Sequence, residues 1–204
     1  MNSYKTIDKE NSDEYIVKKS RFIGYIKPVS TKEEALGFIQ SISKKHWDAT
    51  HNVYAYILRE EGIKKFSDDG EPQGTAGMPV LDVLEKNGLT DCAVVVTRYF
   101  GGIMLGAGGL VRAYSHTASL AVNAGGVVTR TLCIKAKIEC DYNFYGKLSS
   151  LIPENGGTVE DTLFEDNVTV TFYIPETDKG SFEAKLTEAS FGKYKPEIIT
   201  TEWH

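Results

Sequence analysis

Arg98 and Arg112 bracket the stretch YFGGIMLGAGGLV, which carries five of the chain's 19 glycines. Glycine loses more conformational freedom on folding than any other residue, so a cluster of five needs a reason. The chemistry this spacing allows is anion binding. Backbone N–H groups at the start of a helix are unpaired, and the helix dipole there favours negative charge. Gly101, Gly102, Gly106, Gly108 and Gly109 would let a phosphate approach without a Cβ in the way, and Arg98 or Arg112 could grip it with a planar fork. These seven residues form the candidate anion or nucleic-acid site. Ser115, His116 and Ser119 follow on polar positions of the same helix. The spacing fits neither G-x-x-x-x-G-K-[ST], since the loop holds no lysine, nor G-x-G-x-x-G with a later acidic residue. A ligand-free reading, with tight helix–strand packing and two turns, accounts for the same glycines.

A second cluster is FSDDGEPQGTAGMP. Asp68, Asp69 and Glu71 could bind a divalent cation or act as acid–base groups, and Asp-Asp-Gly is equally ordinary turn chemistry. His51, heading a strand, joins them as a candidate loop site. No further ligand completes a coordination set, so no metal and no cofactor are expected. No Ser/His/Asp arrangement appears, and no catalytic residue is assigned. Tyr54, Tyr56, Tyr99 and Phe100 could stack on bases, although core packing explains them as well.

The elements that must carry these residues follow from periodicity. EYIVKKSRFIGYIKPV reads as a strand, or as two broken near Ser20, with Lys18, Lys19 and Arg21 clustered. Ser30-Thr31 with Glu33-Glu34 is a capping-box arrangement. The helix after it places Ala35, Leu36, Phe38, Ile39, Ile42 and Trp47 on its apolar side and ends in Lys44, Lys45 and His46. HNVYAYILR alternates as a strand, and a turn-rich hairpin follows. MPVLDVLEKNG is a short helix. CAVVVTRYF is a strand whose run Ala93 to Val96 is apolar without alternation, as in a buried strand. GGLVRAYSHTASLAVNAGG is the helix after the glycine loop. Residues 131–204 then read β-α-β-β-α-β, the split pattern of a ferredoxin-like sandwich. The expectation is an α+β chain of two domains, 1–130 and 131–204, the first an α/β two-layer domain.

Composition narrows the function classes. The 204 residues are 41% hydrophobic and 25% charged, ordinary for a globular protein. No apolar run is long enough to span a bilayer, and the opening MNSYKTIDKENSDEY has no apolar signal core, so a cytoplasmic location without membrane contact is expected. Cys92, Cys133 and Cys140 show no C-x-x-C spacing and read as small apolar residues rather than a disulfide or zinc framework. Residues 1–130 hold 16 Lys+Arg against 15 Asp+Glu, whereas residues 131–204 hold 7 against 13. A nucleic-acid contact would therefore use a local basic patch in the first half.

The segments SRFIGYI, SDDGEPQGTAGMPVL and VVVTRYFGGIMLGAGGLVRAY, with their spacing, resemble the YigZ/IMPACT family, whose bacterial-type members carry a ferredoxin-like C-terminal domain. The resemblance implies a first domain similar to domain IV of elongation factor G and a second similar to its domain V. It further implies a non-catalytic regulator linked to translation, since the eukaryotic relatives control initiation by competing for the activator of a stress-responsive kinase. RNA, the ribosome or a translation-associated protein is the partner expected, and DNA is not. LGAGGL alone is also similar to the glycine loop of galactokinase–mevalonate kinase enzymes. A phosphate-ligand-binding protein or a small-molecule phosphoryl-transfer enzyme is thus the alternative, and whether any reaction is catalysed stays open at this point.

Overall fold

The computed structural model describes residues 2–60 and 62–204. They divide into two compact units. One is Tyr4–Thr129; the other is Arg130–His204 together with the described residues Asn2 and Ser3. No helix among the described residues is long and apolar enough to cross a membrane.

The polar opening forms a short strand, β1 (Ser3–Ile7), that the sequence pattern did not announce. In the N-terminal unit a five-stranded antiparallel sheet has the order β2 (Asn11–Val17), β3 (Ser20–Pro28), β6 (Cys92–Tyr99), β4 (His51–Leu58), β5 (Ile63–Ser67). The central strand β6 shows why its apolar run does not alternate. Ala93 and Val95 face α1 (Lys32–Lys45) with Tyr56 and Leu58, while Val94 and Val96 face α2 (Gly77–Lys86) and α3 (Ala107–Gly125) with Val53 and Ala55. The α+β class stands, and the expected two layers become three, because helices cover both sheet faces. The capping box forms as the sequence spells it. Thr31 Oγ1 accepts from the Glu34 N–H at 3.2 Å, and the Glu34 carboxylate reaches back to the Ser30 N–H at 2.7 Å. Trp47 departs from expectation. It lies past the end of α1, 83% exposed, because the helical period stops at His46.

The C-terminal unit runs β7 (Val127–Cys140), α4 (Tyr142–Glu154), β8 (Thr158–Phe164), β9 (Val168–Pro175), α5 (Lys179–Ser190), β10 (Glu197–Trp203). Its sheet order, β10–β7–β9–β8 with antiparallel neighbours, is the ferredoxin-like arrangement. Ile134, Ala136, Ile138 and Cys140 bury one face of β7 against α4 and α5. The three cysteines are buried, and burial raises each thiol pKa, that of Cys92 to about 12. Asp141 caps α4 through the Phe144 N–H at 2.9 Å, and Lys193 and Tyr194 each donate to it at 2.7 Å.

Those donors, the Lys193 ammonium foremost, hold the Asp141 carboxyl at about 2. This lies below the unfolded value of about 3.9, so its stabilisation is complete above that pH and is lost as pH falls through 2. Urea unfolding followed by Trp203 fluorescence in a Trp47→Phe background should show the parent losing stability between pH 4 and pH 2. An Asp141→Asn variant should lose less over that interval; parallel curves would contradict the assignment.

Candidate functional site

Antiparallel pairing brings four connections of the N-terminal unit to one end of its sheet. Arg21 of β3 pairs with Tyr99 of β6, His51 of β4 pairs with Arg98, and Tyr54 pairs with Ser67 of β5. The β2–β3 turn, the α1–β4 connection (46–50), the β5–α2 loop (68–76) and the glycine loop (100–106) therefore meet there. The three sequence segments that carried the family resemblance all feed this end.

At its base lies a buried polar cluster. Arg98 Nη1 donates to Glu71 Oε1 at 2.6 Å, and Tyr114 Oη donates to the same oxygen at 2.8 Å. His51 Nε2 stands 3.8 Å from the other carboxylate oxygen. Arg98 is only 6% exposed; its guanidinium lies against the rings of Phe22 and Phe100, and its buried Nε has no hydrogen-bond partner among the described residues. Burial and the Glu71 carboxylate push the Tyr114 hydroxyl far above its ordinary pKa, so it stays a donor. His51 Nδ1 sits 2.6 Å from the Asp69 carbonyl, which only accepts, so Nδ1 carries the proton and Nε2 faces Glu71.

This geometry corrects the candidate set. Arg98 is not free to grip an anion; it is buried, and its charge is committed to Glu71. The acidic loop is likewise structural. Asp68 accepts from the N–H groups of Gly74, Ala76 and Gly77, fixing the start of α2, and Asp69 accepts from the Asn52 N–H. Sequence spacing missed the Glu71–Arg98 pair because its members stand 27 residues apart. Tyr56 is a core residue, and Tyr54 packs on the same cluster, whereas Phe100 is 48% exposed.

The glycines do separate jobs. Gly101 lies against the backbone of Lys19 and Ser20, where a Cβ would overlap the Lys19 carbonyl, and its N–H donates to Ser20 Oγ at 3.1 Å. Gly106, at φ 71°, turns the chain into α3 in a conformation L-residues rarely adopt. Gly102 completes the turn, Gly108 borders open space, and Gly109 lines a groove. The turn facing the loop is unusual. Lys18 and Lys19 have φ of 46° and 63°, left-handed values that two-residue hairpin turns normally reserve for Asn-Gly. Such strain costs on the order of 1–3 kcal/mol per residue and collects at functional sites.

Between this hairpin and α3 runs a groove of about 540 Å³, whose lining includes Tyr15, Lys18, Leu105, Gly109, Arg112 and His116. The Tyr15 ring meets His116 edge-on at 4.5 Å. No carboxylate lines the groove among the described residues. Within the N-terminal unit Arg21, Arg59 and Arg98 each pair with an acid, but Arg112, Lys18 and Lys19 form no ion pair among the described residues. The first turn of α3 has neither an acidic residue nor a side-chain cap, so its dipole adds to the positive potential.

Fold and site define a class: a two-domain α+β protein whose three-layer N-terminal unit carries Lys18, Lys19 and Arg112 at one end, none of them ion-paired among the described residues. The chain belongs to the IMPACT family. The Impact N-terminal domain matches residues 18–122, and a domain of unknown function matches 138–193. The chain is 44% identical to "IMPACT family member YvyE" of Bacillus subtilis (strain 168), over 95% of this chain and 89% of that protein. It is 33% identical to "IMPACT family member YigZ" of Escherichia coli (strain K12), over 86% and 88%. The rabbit "Protein IMPACT" is 34% identical across 44% of this chain and 29% of its own length. A solved structure titled "Crystal structure of an hypothetical protein" matches with a TM-score of 0.62 and 30% identity, covering 98% of each chain.

The two arginines should behave oppositely. Arg98→Met leaves a buried carboxylate unpaired, which costs about 3–5 kcal/mol, whereas Arg112→Ala at an exposed position should stay within about 0.5 kcal/mol. Urea midpoints measure both, and an unchanged midpoint for Arg98→Met would remove the structural role given to the pair.

Proposed function

We propose that the protein is a non-catalytic cytoplasmic regulator linked to translation, binding RNA, alone or within the ribosome, through the groove between the β2–β3 hairpin and α3. The observation that carries this is that Lys18 and Arg112 line the groove, with Lys19 beside Lys18 in the turn, none of them ion-paired and no acid in the lining among the described residues. Unpaired Lys and Arg release counterions when they meet phosphates, and that release supplies the sequence-independent part of nucleic-acid affinity. The resemblance to the elongation factor G domain pair supplies the translational context, an argument by analogy of fold. The C-terminal unit, with its excess of acidic residues, is assigned no phosphate contact.

A phosphorylated small molecule is the second reading, favoured by one feature. The groove volume of about 540 Å³ falls within the ordinary range of ligand pockets. Against phosphoryl transfer in this end of the molecule, Asp68 is held by N–H groups of the loop and the start of α2, Asp69 by the Asn52 N–H of β4, and Glu71 by Arg98 and Tyr114.

Sedimentation with ribosomes of the source organism, at low and at physiological salt, separates the readings. Co-sedimentation at low salt should weaken as salt rises. A Lys18→Ala/Arg112→Ala variant should flatten the log–log salt slope by about 1.4–1.8, since each lost phosphate contact contributes roughly 0.7–0.9. Protein that stays unbound at both salts would overturn the RNA reading. Thermal stabilisation by a phosphorylated metabolite would then support the second.

A further inference from the structure

Trp47 follows α1 at the same loop end, and its exposure of 83% is unusual for so large an apolar side chain. Its backbone is not loose. The Ala49 N–H donates to the His46 carbonyl at 3.1 Å, the Thr50 N–H to the Arg98 carbonyl at 2.9 Å, and Asn52 Nδ2 to the His46 carbonyl at 3.2 Å. The residue before it is clamped too. Tyr99 Oη donates to Asp48 at 3.0 Å and accepts from His46 Nδ1 at 2.9 Å, which leaves His46 Nε2 to accept from Tyr25 Oη at 2.6 Å. That chain of donors specifies a neutral imidazole, and burial together with Lys45 lowers the His46 pKa in the same direction. A large flat indole is thus presented on a fixed support, and no hydrogen bond or ring contact engages it among the described residues.

Its surroundings complete the chemistry. Lys44 and Lys45 close α1 without an ion pair among the described residues, Lys45 Nζ lying 4.9 Å from the Tyr25 ring. The adjacent acid, Asp48, is occupied by Tyr99. The support is continuous with the groove. Thr50 Oγ1 accepts from the Phe100 N–H at 3.0 Å, and the next residue, Gly101, donates to Ser20 beside the Lys18–Lys19 turn. Trp47, half-exposed Phe100 and the lysine turn therefore follow one hydrogen-bonded rim. A rigid exposed aromatic flanked by lysines stacks a base while the cations meet its phosphates, and every base offers such a face. In a duplex those faces are covered by neighbouring pairs.

We propose that the α1–β4 corner is a base-stacking subsite for single-stranded RNA, with Trp47 as the platform and Lys44 and Lys45 as its phosphate contacts. It rests on the RNA reading above and specifies the strand state of the ligand. The test uses the full chain carrying Trp203→Phe, which leaves Trp47 as the only indole of the two in the sequence. A short oligouridylate should quench Trp47 emission, and an RNA duplex of equal length should quench it far less. Fluorescence anisotropy at low salt should show Trp47→Ala weakening single-strand binding about tenfold with an unchanged salt slope. Trp47→Phe should restore part of the loss. If the parent binds RNA through Lys18 and Arg112 while Trp47→Ala binds equally well and Trp47 emission is unmoved, the stacking subsite is wrong and the groove reading survives. If the parent binds no RNA at low salt, both fall.

Discussion

Glu71 and Arg98 meet inside the N-terminal unit at 2.6 Å, and the architecture of the loop end follows from that pair. Glu71 comes from the β5–α2 loop, Arg98 from the end of the central strand, Tyr114 from the buried side of α3, and His51 from the start of β4. Hydrogen bonds to one carboxylate thereby tie the β5–α2 loop, β6 and α3 to a single point, with His51 of β4 standing beside it. Two buried charges are tolerated only when each has a close partner, so the loops cannot drift without exposing one of them. Asp68 and Asp69 extend the same arrangement outward: Asp68 takes the N–H groups of Gly74, Ala76 and Gly77, and Asp69 takes the Asn52 N–H of β4.

Above this anchor the charges divide into two groups. Arg98 serves the interior, and its placement against Phe22 and Phe100 sets where the glycine loop leaves β6. Arg112, Lys18 and Lys19 are left to the surface. The bare backbone of Gly101 lets the glycine loop lie on the hairpin turn, which holds two lysines in left-handed conformations close to the groove. Strain, cavity and uncompensated charge coincide there, and that coincidence singles out this end from the rest of the unit.

Much of the fold was legible. The unbroken apolar run of β6 signalled a buried strand, the capping box placed the start of α1, and the β-α-β-β-α-β order gave the C-terminal sandwich. The site was legible only in part. Gly101, Gly106 and Arg112 were marked by type and spacing, and Arg98 was marked with them as an anion ligand because nothing local reveals its partner 27 residues away. For the acidic triplet the spacing left a cation or acid–base role open beside an ordinary turn, because the N–H groups that Asp68 and Asp69 accept from are brought to them by the fold. Trp47 was placed on the apolar side of α1 by extending a helical period past His46, where the chain leaves the helix. Lys18 and Lys19 gave a charge signal but no turn signal, because a left-handed pair is ordinarily announced by Asn or Gly.

The central claim is that the loop end of the N-terminal unit is the RNA face of this protein. Photo-crosslinking of the full chain to a 4-thiouridine-substituted RNA, with the attached peptides mapped by mass spectrometry, tests it most directly. The account predicts adducts in the β2–β3 hairpin around Lys18, in the glycine loop and first turns of α3, and at Trp47. Adducts confined to the C-terminal unit, or to the strands and helices at the opposite end of the N-terminal sheet, would contradict it.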